Sequence, residues 1–81
     1  MNELPDAGAP LSRLRTLADY QSERSHVFPS ESSLQWFVRR HKAALVDSGA
    51  LLMLAGRKVV EPQAFDRVVM KVGMQSARRA A

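Results

Sequence analysis

The stretch Ser30 to Val46, SESSLQWFVRRHKAALV, constrains the fold more than any other part of the chain. Leu34, Phe37, Val38, His41 and Leu45 recur there at i, i+3, i+4, i+7 and i+11, the stripe of a helix that faces a core. Ser30 is placed to cap its N-terminus, with a hydroxyl that accepts a bond from an unpaired first-turn N–H. Glu31 sets a negative charge where the helix dipole favours one. One amphipathic helix over Ser30–Val46 is therefore expected. Roughly opposite the stripe lie Ser32, Gln35, Trp36, Arg39 and Ala43, with Arg40 and Lys42 on the flanks. That outer side runs from small polar groups to cations, which suits a helix lying in a DNA groove. An ordinary solvated face has the same pattern, so the rest of the chain has to decide.

Eighty-one residues make one small domain with a thin core. The first ten residues hold two prolines, a glycine and no periodicity, and read as a flexible lead. Ser12 to Glu23 is expected to form a first helix, capped by Ser12 or Thr16, with Leu14, Leu17, Ala18 and Gln21 on one face. Arg24 to Pro29 is a connector, because Pro29 pushes Phe28 out of the helical region. Phe28 is placed to staple the entry of the central helix by packing on Leu34.

Gly49 suits the left-handed position that ends a helix. Two short apolar segments follow around Gly56-Arg57, a hairpin pattern in which Gly56 takes the positive φ of a tight turn. A helix continued through Leu54 competes with it, since Ala, Leu and Met favour helix. The hairpin is preferred because Gly49 and Gly56 bracket the run and two valines come after. A lone ribbon is marginal, so one face must rest on the helices, with Leu52, Leu54 and Val59 or Val60 as candidates. Pro62 then opens a last helix at its first position, with Phe65, Val68, Val69 and Val72 inward. Gly73 is expected to end it, leaving residues 74–81 as a basic tail, frayed helix or disordered. The expected fold is mainly α with a small β-hairpin, in the order helix, turn, helix, hairpin, helix. Such a winged helix-turn-helix would occupy residues 11–73.

The chemistry classes thin out quickly. The chain has no cysteine, which excludes disulfides and thiolate metal sites and fits a reducing cytoplasm. No apolar run approaches the roughly 18 residues of a membrane span, and the acidic start MNELPDAGAP lacks the basic region of a secretory signal. His26 and His41 have no metal-ligand spacing, and no P-loop, GxSxG or dinucleotide glycine pattern is present. An enzyme, a cofactor and a metal are not expected. The net charge is +4, and residues 67–81 carry Arg67, Lys71, Arg78 and Arg79 without an acid. An excess of this kind favours an anionic partner, nucleic acid first, although basic charge also serves solubility.

The candidate DNA-binding residues are therefore Ser30, Ser32, Ser33, Gln35, Trp36, Arg39, Arg40, Lys42, Arg57, Lys58, Arg78 and Arg79. Arg39 and Arg40 can pair with phosphates or guanine edges, and Gln35 can read adenine. Ser32 and Ser33 can bond phosphates at the helix N-terminus. Arg57 and Lys58 at the hairpin tip can reach a minor groove or its phosphates, and Arg78 and Arg79 can add backbone contacts. For Trp36, a ring partly buried under the wing or first helix is a stronger reading than base contact.

The stretch Leu17 to Phe65, with GRKVVEPQAF at Gly56 to Phe65 as its strongest part, resembles the excisionase and AlpA-like small DNA-binding proteins of the MerR-like winged-helix class. The resemblance implies a recognition helix at Ser30–Lys42 in the major groove and a wing around Gly56–Lys58. It further implies a mobile element, where such proteins steer an integrase toward excision or regulate transcription. The connector Arg24–Pro29 and the central helix both look longer than in that group. The expected partners are double-stranded DNA, a second copy as homodimer or cooperative assembly, and an integrase, with no membrane and a nucleoid-associated location in the cytoplasm. The alternative is a protein-interaction module, in which the Phe65–Val72 helix or Trp36 packs on a partner and the charge serves solubility.

Overall fold

The computed structural model describes residues 11–80. After a single 3₁₀ turn at Leu11–Arg13, the chain runs β1 (Arg15–Thr16), α1 (Leu17–Glu23), α2 (Glu31–Arg40), α3 (Lys42–Asp47), β2 (Leu51–Leu54), β3 (Arg57–Val60) and α4 (Pro62–Ala80). The fold is mainly helical with a small antiparallel sheet in the order β1-β3-β2.

The first helix is shorter than the periodicity predicts. Thr16, not Ser12, is its cap, accepting a 3.0 Å bond from the Asp19 N–H. The residues before it form a strand, with Arg15 opposite Val60 and Thr16 opposite Val59. Two residues carry no alternation that a sequence could reveal. The partner strand creates β1 by supplying the ladder.

The central helix is also divided. Ser30 caps it as expected, and Ser33 returns the bond in a reciprocal capping box. At His41, however, the backbone leaves the helical region (φ −120°, ψ 28°) and α3 starts afresh. Neither Gly nor Pro marks the break. A straight helix over residues 30–46 would extend about 25 Å and carry its last turn past a thin core. The bend instead buries Leu45 completely and sets α3 against α4 and β2. His41 packs on the Phe37 ring at 4.6 Å between centroids.

Gly49 ends α3 at φ 79°, as its left-handed freedom predicts. The Ala50 N–H donates to the Leu45 carbonyl and the Gly49 N–H to the Val46 carbonyl, the paired bonds of a Schellman motif. The hairpin turn lies one residue earlier than expected. Ala55 (φ 51°) and Gly56 (φ 74°) are its central residues, and Arg57 already pairs with Leu54 in the ladder. Two positive φ angles in a two-residue loop give the turn that matches strand twist, with the strain at Ala55. Of the residues expected to face inward, Val60 is fully buried, but on the other strand Leu51 takes the place expected for Leu52 and Leu54. Leu51 and Val60 form the cross-strand pair that enters the core, while Leu52 and Val59 are half-buried and Leu54 is exposed.

Gly73 does not end the last helix, which continues to Ala80. Of the two readings offered for residues 74–81, helix is the one found as far as Ala80. Pro62 opens α4, and the Glu61 carboxylate caps it by accepting bonds from the Gln63 and Ala64 N–H groups.

The core gathers Tyr20, Phe28, Leu34, Phe37, Val38, Leu45, Ala50, Leu51, Val60, Ala64, Phe65 and Val68. Its centre is aromatic. Tyr20 lies 4.6 Å from Phe65, Phe37 5.9 Å from Phe65, and Phe28 meets Phe37 edge-on at 5.4 Å. At the rim, Asp66 accepts a 2.6 Å bond from the Tyr20 hydroxyl and two from Arg24, Nε at 2.6 Å and Nη2 at 2.8 Å. The Arg24 guanidinium also covers the Tyr20 ring at 4.4 Å.

The Arg24 hydrogen bonds hold the Asp66 carboxyl below the usual carboxylate range, and burial, then the Asp66 bond, pushes the Tyr20 phenol up. Asp66 therefore stabilises the fold above the unfolded aspartate pKa of about 3.9, and that contribution is lost as pH falls through the depressed folded value. Tyr20 contributes fully below the unfolded tyrosine pKa of about 10 and loses its contribution as pH rises beyond it. Urea unfolding across pH is expected to show a plateau with a fall on each side. Asp66→Asn should flatten the acid side and lower the plateau by about 1–2 kcal/mol, since the pair is partly solvated. Tyr20→Phe should flatten the alkaline side.

Candidate nucleic-acid interface

The outer face of α2 is built by default. Leu34, Phe37 and Val38 are buried, so Ser32, Gln35, Trp36 and Arg39 must face solvent, and all four are exposed. Trp36 is 57 % exposed, which corrects the preferred reading of a partly buried ring. Instead the Arg40 guanidinium, one turn on, lies over the indole at 5.2 Å. That cation–π contact holds both side chains flat on the helix surface.

The three serines divide. Ser33 Oγ donates to the Ser30 carbonyl at 2.7 Å and accepts from the Ser30 N–H, while Ser30 Oγ accepts from the Ser33 N–H. Ser30 and Ser33 thus serve the capping box. Ser32 alone keeps a hydroxyl without a protein partner among the described residues. Lys42 is exposed but belongs to α3, beyond the His41 bend, so it does not continue the α2 face.

Arg57 and Lys58 are both exposed next to the turn. Cross-strand partners share a face, and Arg57 pairs with Leu54 while Lys58 pairs with Met53. The two cations therefore project from opposite faces of the ribbon. Arg78 and Arg79 are exposed in the last turn of α4.

Ion pairing separates the charges by region. Arg13 pairs with Glu61, Arg15 with Glu23, and Arg24 with Glu23 and Asp66. Arg39, Arg40, Lys42, Arg57, Lys58, Arg67, Lys71, Arg78 and Arg79 have no carboxylate within 4.0 Å among the described residues. Glu23, Glu61 and Asp66 thus pair with the N-terminal arginines, and among the described residues no acid pairs with the cations of α2, α3, the hairpin or α4. Arg67 and Lys71 belong to this set, and the acid-free C-terminal run was the signal for them. The tie of Tyr20 and Arg24 to Asp66 had no such signal, because it joins residues 42 and 46 apart.

No group of three or more metal-ligating side chains forms among the described residues. Nor, among them, is any helix long and apolar enough to cross a membrane. Phe65, a candidate anchor for a protein partner, is fully buried within its own core. No protein-family model, curated protein or solved structure matches the chain.

Trp36 is the sole tryptophan, so its fluorescence reports this face directly. A soluble quencher such as acrylamide should quench the folded protein almost as efficiently as the urea-unfolded chain. Trp36→Ala should shift unfolding by less than about 0.5 kcal/mol, as expected of a surface site.

Proposed function

We propose that the chain binds double-stranded DNA in a sequence-specific manner, as a winged helix-turn-helix without catalysis. The observation that carries this reading is the outer face of α2: polar, then cationic, opposite a buried apolar stripe, with no carboxylate partnering its arginines among the described residues. In this reading α2 lies in the major groove. Arg39 pairs with guanine, Gln35 with adenine, and the Ser32 hydroxyl with a phosphate. Arg40, held over Trp36, stands at the edge of the same face.

The β2–β3 ribbon acts as the wing. A ribbon entering a groove tip-first turns one face to each phosphate rail, so Arg57 and Lys58 on opposite faces each find a strand. Arg78 and Arg79 on α4 add backbone contacts. The resemblance to excisionase and AlpA-like proteins suggests the setting: directing a recombinase toward excision, or regulating genes of a mobile element from the nucleoid. A second copy on an adjacent half-site, or an integrase, would then complete the assembly.

The test is selection of bound duplexes from a random pool, followed by titration of the selected duplex across a salt series. Affinity should fall steeply with salt as released counterions lose their driving force. Arg39→Ala should weaken binding by about 1–3 kcal/mol and relax preference at one base position. Lys58→Ala should weaken all sequences alike and lower the salt slope. No binding to any duplex at low salt would end the proposal.

A further inference from the structure

The exposed apolar side chains of α4 are not scattered. Met70 and Met74, 63 % and 57 % exposed, stand one turn apart and line a shallow groove with Arg67, Lys71 and Arg78. A second groove, between α4 and the connector, contains Val27, Phe28, Val69 and Met70. Val27 is 47 % exposed there, too apolar a residue to favour water. The two grooves share Asp66 and Met70, and so join into one apolar seam from the connector along α4.

The charge around this seam is one-sided. Its acids are engaged, Asp66 by Arg24 and Tyr20, Glu23 by Arg15 and Arg24. No Asp or Glu follows Asp66 in the sequence, while Arg67, Lys71 and Arg78 border the methionines without a carboxylate partner among the described residues.

We propose that this seam is the docking site for an acidic amphipathic helix of another protein. Its apolar side rests on Val27, Met70 and Met74, and its carboxylates meet Arg67, Lys71 and Arg78. Methionines are unbranched and polarizable, and mould to the apolar anchors that such a helix presents at i, i+3, i+4 and i+7. A second copy is disfavoured, because two α4 helices would bring like-charged borders together. A duplex is disfavoured because phosphates would leave the apolar seam wet. The seam shares no residue with the α2 face or the hairpin and only Arg78 with the proposed DNA contacts, so its occupant is a ligand separate from the duplex that α2 and the hairpin would hold.

The experiment presents the full-length chain with a displayed library of amphipathic 18-residue peptides whose polar positions are randomised. Enriched peptides should be acidic, with apolar anchors at helical spacing. Their affinity should drop at least tenfold in the Met70→Ser, Met74→Ser double variant, with helix content by circular dichroism unchanged. A Lys71→Glu, Arg78→Glu variant should reverse the selection toward basic peptides. Three outcomes overturn the proposal. One is no enrichment, or enrichment indifferent to the methionine variant. The second is a dimer in sedimentation that the methionine variant dissolves. The third is saturable binding of phosphatidylglycerol vesicles or duplex DNA that depends on Met70 and Met74 where acidic peptides do not bind.

Discussion

The Asp66 carboxylate holds this domain together at its rim. It accepts the Tyr20 hydroxyl and both arms of the Arg24 guanidinium, and so ties the end of α1 to the first turns of α4. Its neighbour Phe65 extends that tie inward, packing on the Tyr20 ring and close to Phe37 of α2. One residue pair of α4 thus fixes α1 through a charge and α2 through an aromatic contact. In a chain with so thin a core, that double hold takes the place of buried area. The same guanidinium lies over the Tyr20 ring, so one arginine joins the carboxylate to the aromatic centre of the core.

The surface follows from this arrangement. Glu23, Glu61 and Asp66 are engaged where the elements are tied together, and Arg13, Arg15 and Arg24 are engaged with them. The cations of α2, β3 and α4 remain over. In the proposed role those leftover charges are the ones that meet phosphates, while the structural pairs keep the reading helix at a fixed distance from the wing. The capping box at Ser30 serves the same end, since a helix that enters a groove by its N-terminal half needs that half ordered beforehand.

Local signals in the sequence reached as far as local physics reaches. Ser30 as a cap, Gly49 as a left-handed stop, Pro62 as a helix opener and the buried run Leu34, Phe37, Val38 all depend on neighbours within a turn. The break at His41 did not, because the need to keep Leu45 inside a short core imposes it. Strand β1 was invisible for a related reason: its ladder exists only because β3 lies beside it. On β2 the inward residue is Leu51 and not Leu52 or Leu54, while Val60, one of the two candidates on β3, is buried beside it; this is the usual hazard of period two, where a one-residue error exchanges the faces. At the candidate interface, periodicity placed Gln35, Trp36 and Arg39 on the outer face. It could not show that Ser30 and Ser33 spend their hydroxyls on each other, or that Arg57 and Lys58 part to opposite sides.

The central claim is that the outer face of α2 and the hairpin tip address one DNA duplex together. Backbone amide NMR of the labelled chain, titrated with its selected duplex, tests this most directly. The account predicts shifts concentrated at Ser32–Arg40 and around Ala55–Lys58, moving with one dissociation constant, while Val68–Met74 stays still. Shifts confined to one of the two elements, or centred on α4, would contradict it.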